Sequence, residues 1–495
     1  MAVGNAQDIT DGLRYSTDAT TGSARFHALS GAFGALGGDL SAIAINPAGS
    51  AIFLKNTGSV SFGVFDRENS ATYFGNTNES IDTDVNINQA GVVFVFNNYV
   101  SEESESKWKK FTIGLNYNPT QNYDDELFIR GTGNTSISEF FLQQAQGIPL
   151  NLLELQSGES ISDLYSFLGE TEGTTAQNAF LGFQGFIFDP VDDDPNGTQY
   201  VSNIAPGSFN QEYAFFTNGY NGKYTINFAA QYTDNFFFGI NLNSHVINYD
   251  QSTFLFESNS NPESIVSEVG FENNLSVTGA GFSAQIGAIA KITEAFRVGI
   301  TYDTPTWYEI SEETTQYLET ERTVDEQSLL AVVDPRVLNI FADYRLRTPG
   351  KVAASAAYIF GKHGLISFDY GYKDYSQIKF SPSNDPGFAA QNSLISSALK
   401  GASSYRAGAE YRINQISLRG GVHYEESPYV NEATVGDLSG FSLGLGYNFG
   451  HYNFDISYSR SEQSRNQQLY AIGLTNSANI DTTLNNIIFT LGISI

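Results

Sequence analysis

The residues spaced for chemistry are few, and each candidate fails a second requirement. Gly440-Phe441-Ser442-Leu443-Gly444 has the Gly-x-Ser-x-Gly spacing that exposes a nucleophilic serine on a strand-to-helix elbow. It lies inside an alternating stretch with Phe441, Leu443 and Leu445 on one face, and no helix follows. It reads as a strand whose second face is small. Gly31 to Gly38 is glycine-rich enough to suggest a phosphate cradle, but the Gly-Lys-Ser/Thr ending and the strand–loop–helix setting are missing. Close packing of a small-residue segment accounts for it. Asp192-Asp193-Asp194-Pro195-Asn196-Gly197 imitates the opening of a calcium loop, yet position twelve is Asn203 rather than Glu. It reads as a surface turn. The five His residues, 27, 245, 363, 423 and 451, are not paired at metal-ligand spacing. With no Cys, thiol catalysis and thiolate metal sites are excluded. No catalytic residue, cofactor or metal is expected.

The charges that remain are arranged by twos. Arg406, Glu410 and Arg412 alternate with Tyr405, Ala407, Ala409 and Tyr411. Asp369 and Lys373 alternate with Ile366, Phe368, Tyr370 and Tyr372. Arg419 shares the charged face of the following segment. A period of two is a β-strand. A face carrying these charges would be ruinous in lipid, so it points into a wet or salt-bridged lumen. Asp369, Lys373, Arg406, Glu410, Arg412 and Arg419 therefore form a candidate lumen network. Such a network would stiffen the wall and seat a plug, or greet a ligand carboxylate.

The same alternation recurs in fourteen segments: 57–66, 89–98, 108–118, 223–232, 236–250, 277–292, 295–308, 346–360, 364–378, 403–413, 415–424, 440–449, 451–460 and 485–495. In the last, Ile487, Phe489, Leu491, Ile493 and Ile495 share one face. Hydrophobic content is 41%, and no run of about 18 apolar residues exists, which excludes transmembrane helices. Aromatics at 14%, mostly 38 Phe and 28 Tyr, suit strands and interfacial girdles. The fold class is an all-β membrane protein: a fourteen-stranded antiparallel outer-membrane barrel over 57–495. Tight links at 234–235, 293–294, 361–363, 414 and 450 alternate with long ones at 119–222, 251–276, 309–345, 379–402, 425–439 and 461–484. Barrels of this kind have short periplasmic turns and long external loops, so both termini are expected in the periplasm. The inner turn 99–107 is longer and Ser/Glu-rich.

Two regions are not barrel. Residues 1–56 precede it, and Gly4-Asn5-Ala6 resembles the small-x-small end of a signal-peptide cleavage site. The 119–222 link is too long to lack structure. Its stretch 136–169 has helical features, with Phe140, Phe141, Leu152, Leu153 and Leu164 among its apolar residues. These five form either the core of a loop or the receiving site for a greasy ligand. Acids crowd segments such as Glu309 to Glu326, and the net charge of −29 argues against nucleic acid. Expected partners are outer-membrane lipid and lipopolysaccharide, a hydrophobic small molecule, and the barrel-assembly machinery. The long acidic loops offer a surface to protein partners.

The stretch from Ser30 through Gly31, Phe33 and Gly38 to Asn46-Pro47-Ala48-Gly49 resembles the N-terminal hatch of FadL-type outer-membrane transporters. Leu346 to Pro349, Gly364 to Tyr370 and Ser404 to Tyr411 are similar to the versions found in Bacteroidetes-type bacteria. The resemblance covers the whole chain except the external loops. It implies a fourteen-stranded barrel plugged by the hatch, with Phe33, Asn46, Pro47 and Ala48 at the gate. It also implies passive uptake of long-chain fatty acids or similar lipids and hydrocarbons. Ligand would be caught at external loops and released sideways through a gap near the third strand, here 108–118 with Gly114 on its lumen face. A second reading stays open, that of an accessory barrel in a protein secretion or assembly machine.

Overall fold

The computed structural model describes residues 8–98, 106–325 and 327–495. The Gly4-Asn5-Ala6 segment and most of the 99–107 turn lie outside them. Fourteen antiparallel strands close into one barrel. They are β1 (Thr57–Tyr73), β2 (Asn76–Asn97), β3 (Trp108–Asn122, continued by Asp125–Gly133), β4 (Phe209–Tyr232), β5 (Phe236–Ser258), β6 (Val266–Lys291) and β7 (Phe296–Asp303, then Trp307–Val324). Then follow β8 (in pieces from Gln327–Val333 to Lys351–Ile359), β9 (Gly364–Asp374), β10 (Gly401–Ile413), β11 (Ile416–Glu425), β12 (Leu438–Asn448), β13 (Tyr452–Gln468) and β14 (Ser477–Ser494). β14 pairs with β1 from Thr57 opposite Ser494 to Thr72 opposite Asn479, which closes the ring. Ile226, Ile240, Ile286, Ile300, Phe368 and Leu491 are exposed on its outer face. On the inner face Asn227, Asn241, Thr301, Asp369 and Thr490 are buried. Burying amides and hydroxyls inside works because they bond one another and the plug; Asn241, for example, donates to Gln285 and to the Ile43 carbonyl.

Several long links are mostly strand, contrary to the sequence reading. β5 and β6 run on to Ser258 and Val266, and β7 and β8 meet at a hairpin near Asp325. β1 continues from residue 66 to a turn at Phe74-Gly75, so 67–88 is a hairpin. The extensions of β5 to β8 pair with each other beyond the apolar belt, where outward Glu and Thr replace the alternation of hydrophobicity that marks a lipid-facing strand. On β2 the outward residues Ile81, Val85 and Ile87 stay apolar and exposed, so the belt continues up that strand. Together the extensions raise a tall wall at the loop end of the barrel. Against it pack α3 (Ser138–Ala145), α4 (Ile161–Thr171) and α5 (Thr174–Gln184). The last helix lies past the stretch with legible helical features.

The N-terminal segment fills the lumen. α1 (Ile9–Arg14) is closed by a capping box in which Asp8 accepts from Thr10 and Asp11 amides while Asp11 accepts from the Asp8 amide. α2 (Ala24–Ala28) is capped by Ser23. Two short 3-10 turns, Ser41–Ala44 and Pro47–Ile52, end the segment where β1 begins. α1 sits at the loop end, near α6 (Pro386–Ala398), and the 3-10 turns sit near the short turns.

Candidate functional site

The plug is held by polar bonds that match its backbone. The Asn46 side chain accepts from the Ala48 amide at 3.1 Å and donates to the carbonyls of Gly34 at 2.7 Å and Ala288 at 3.2 Å. The Pro47 carbonyl accepts from Asn227 at 3.0 Å. This turn lies flat on the wall because β5 and β6 offer no side chain beneath it. A Cβ at Gly239 would stand 2.3 Å from the Pro47 carbonyl carbon, and one at Gly287 would stand 2.1 Å from Asn46 Oδ1. Phe33 is fully buried against Phe26, Leu29 and Leu36. Its amide and that of Gly34 both donate to Asp369 at 2.9 Å.

The charged lumen residues meet partners that local spacing does not reveal. Glu410 pairs with Arg412 and Arg419 on the wall and with Arg25 of α2 at 3.0 Å. Arg419 also pairs with Asp455 at 2.5 Å. Arg406 pairs with Glu425 at 2.8 Å. Lys373 holds the Ser16 carbonyl and, at 3.1 Å, Asp18. Arg25, Asp18, Glu425 and Asp455 belong to the site, and only cross-strand register exposes them.

β2 and β3 leave a hole in the wall. β2 pairs with β3 only from Ala90 opposite Tyr117 to Asn97 opposite Lys110. Above that point β2 carries an extra residue, Asn88, between Ile87 and Gln89. A bulge of this kind re-aims a side chain. Asn88 turns inward, donating to the Gly22 carbonyl and lying 3.1 Å from His27 Nε2. On the facing edge, β3 has Pro119, which has no amide to offer a neighbour, and an irregularity at Thr120. The strands meet again higher up, where Ser80 donates to the Glu126 carbonyl at 2.8 Å and Asn78 to that of Arg130 at 3.3 Å. The window between opens on a cavity of about 750 Å³. Asp82, Asp84 and Asn86 line it on β2, Tyr117, Gln121 and Asp124 on the β3 side, and His27 and His423 at its depth. The inner rim is plug. Ala19 donates to the Thr120 carbonyl at 2.7 Å and Thr21 to that of Pro119 at 2.5 Å.

A family model described as "Outer membrane protein transport protein (OMPP1/FadL/TodX)" matches residues 224–494, more than half the chain. The chain belongs to that family. A solved FadL homologue from Pseudomonas aeruginosa superposes with a TM-score of 0.54 at 15% identity, over 96% of this chain and 98% of that one. The toluene transporter TodX of Pseudomonas putida gives 0.53 at 13% identity, over 97% and 100%. Both likenesses are of fold. No curated protein matches in sequence.

In this FadL/TodX-family barrel, the loop residues singled out from sequence pack together at the loop end. Phe140, Phe141, Leu153 and Leu164 are buried in a core with Tyr165, Phe180 and Phe271, and Leu152 lies against it. None of the five lines the window cavity. Gly114 faces the plug, with Ile43 close by. Ser442 bonds Ser30 of the plug at 2.8 Å, and Asp192 to Gly197 is a turn closed by its own side chains. Among the described residues no group of three His, Cys, Asp or Glu is placed to hold a metal ion.

A second apolar chamber lies between α1 and the loop end. Ile247, Val277, Ile310 and Leu346 of the wall and Phe380 and Phe388 of the α6 loop enclose it, and Leu13 and Tyr15 of the plug fill it. Its polar contacts are concentrated at Arg14. The guanidinium lies 4.2 Å from the centre of the Tyr249 ring and 5.7 Å from that of Tyr15, and it pairs with Asp11 at 2.5 Å. Tyr123 stands edge-on to both rings, at 5.2 Å and 6.2 Å. Tyr344 donates to buried Glu312 at 2.5 Å. Burial, with the charges of Asp8 and Glu312, pushes the Asp11 carboxyl up to about 7 against the pull of Arg14. Burial holds the His27 imidazole down at about 3, with His423 and Arg406 adding to the effect, so it stays neutral. Arg14, Tyr15 and Tyr123 lie outside the alternating segments, and Tyr249 is legible only as one residue of the 236–250 strand, so sequence reading missed the cluster.

Proposed function

We propose that this barrel takes up a hydrophobic small molecule and releases it sideways into the outer membrane. The loop end, where α1 also lies, faces outward, and the short turns and the C-terminal end of β14 face the periplasm. Ligand enters the chamber now filled by Leu13 and Tyr15 as α1 gives way. It passes the strap of residues 19–21 and leaves between β2 and β3. The observation that carries this reading is the window. A closed sheet satisfies every backbone group, so a hole opening on an internal cavity is hard to maintain in lipid without a use. The route spares an apolar molecule from crossing periplasmic water. Transfer at roughly 25 cal/mol per Å² of apolar surface makes that saving large and needs no energy source.

The absence of native Cys allows a clean test. Asn86 reaches Asp124 across the window at 3.5 Å. Cysteines placed at these two positions and bridged by a cleavable maleimide linker should cut uptake of a labelled hydrophobe about tenfold. Cutting the linker should restore it. Unchanged uptake with the bridge in place removes the lateral route.

One feature favours a protein partner as a second role. Leu330, Val332, Leu338 and Ile340 are exposed on β8 beyond Glu309 and Glu313, where the outer face of the neighbouring strand has turned acidic. Native co-purification of a stoichiometric partner, lost on replacing Leu330 and Ile340 by Ser, would support it.

A further inference from the structure

The chamber at the loop end is occupied by part of the chain itself, and the occupant has a definite chemistry. α1 presents an apolar side chain, Leu13, followed by a cation, Arg14. The apolar part lies among aliphatic and aromatic walls. The cation lies on the face of Tyr249, with Tyr123 and Tyr15 around it. Rings at this spacing attract a weakly hydrated cation through their quadrupole, and more strongly when water is excluded. The wall adds the carboxylate of Glu312, and the charge of that group acts on Asp11 of the same helix.

We propose that this chamber is built for a positively charged amphiphile, an alkyl amine or quaternary ammonium with an apolar body, and that Arg14 holds its place in the closed barrel. The inference rests on the uptake reading and gives its ligand a charge. A carboxylate at the same point would meet the like charge of Glu312. The exit agrees. Asp82, Asp84 and Asp124 line the window cavity, where Arg67 is held by Asp125 at 3.5 Å. The cations of the central lumen do not oppose it, because Lys373 and Arg406 are paired with Asp18 and Glu425. Lys223 and Lys351 share their small cavity with Asp18 and Asp303.

The test uses the full chain in lipid nanodiscs and three probes of equal length: dodecyltrimethylammonium, dodecanol and dodecanoate. The ammonium should bind at least tenfold more tightly than dodecanoate. Arg14→Gln, which vacates the cage, should tighten the ammonium about tenfold and leave dodecanol within threefold. Tyr249→Leu and Glu312→Gln act on the wall, and each should weaken the ammonium alone. If Arg14→Gln does not fold, the two wall variants carry the same decision. Dodecanoate binding as tightly as the ammonium, or an ammonium affinity indifferent to all three variants, overturns the proposal while leaving uptake intact. No binding by any probe overturns both.

Discussion

Glu410 ties the plug to the wall through its ion pair with Arg25 of α2, and its loss should free one more than the other. In Glu410→Ala three arginines lose an acceptor, but unequally. Arg412 has a side chain 42% exposed, so water takes over and the cost is below about 1 kcal/mol. Arg419 is 6% exposed but keeps Asp455 at 2.5 Å. Arg25, 17% exposed, has no other ion pair among the described residues and is left with the Gly38 carbonyl at 3.4 Å. Removing one partner of a buried pair costs about 3–5 kcal/mol, and most of that falls on α2. At about 1.4 kcal/mol per factor of ten, 3 kcal/mol lowers the protection of the plug backbone roughly 150-fold. Hydrogen exchange of residues 22–34 in nanodiscs reads this directly. The β10 and β11 amides serve as the internal reference and should change little. Arg25→Ala should cost less than Glu410→Ala, because Glu410 then keeps two arginines. Equal effects of the two substitutions, or faster exchange in the wall than in the plug, would refute the reasoning.

Gly239→Val places a side chain where the Pro47 carbonyl lies 2.3 Å away. The barrel should form and the plug should not seat, seen as new protease cleavage within residues 8–56 without loss of heat-stable β-structure. Docking of α1 should weaken as pH rises. The docked Asp11 carboxyl titrates near 7 and a released one near its ordinary value of 3.8, so between the two the docked helix holds a proton that the free helix has lost. A spin label at Thr10→Cys should be most immobile at about pH 4 and loosen towards pH 7, and Asp11→Asn should flatten the response. Phe141→Ala empties a fully buried site in the loop-end core. It should destabilise that subdomain by about 3–5 kcal/mol, visible as early thermal loss of helical signal, with ligand affinity little changed.

What sequence disclosed was what repeats locally. Tyr405 and Tyr411 face out and Arg406 and Glu410 face in because a strand alternates whatever lies beside it. That was enough for fourteen strands and a polar lumen. Beyond the belt the signal fails. On β7 the outward residues Glu309, Glu313 and Thr315 are no longer apolar, so strand and loop look alike. α5 begins Thr-Thr and buries Gln177 and Asn178, which hides its apolar face. The window and the cage depend on register. Asn88 and Pro119, or Arg14, Tyr249 and Glu312, become neighbours only once the sheet has closed. Pro119, directly after the third alternating segment, was the one local hint that an edge lay there.

The unequal ladders around the ring have a mechanical meaning. β2 and β3 share eight paired positions, whereas β1 and β14 on the other side of the same hairpin share sixteen. A closed sheet carries hoop stress around its whole circumference, and it yields where the rungs are fewest. Among the described residues no other strand interface has so few. A bilayer that is too thin or too thick strains the barrel embedded in it, and that strain will spread the β2–β3 seam first. Under the proposed lateral route, the width of that seam should follow lipid length. Spin labels at Asn86→Cys and Asp124→Cys should move apart when short-chain lipids replace long ones, while a pair across β10 and β11 keeps its distance.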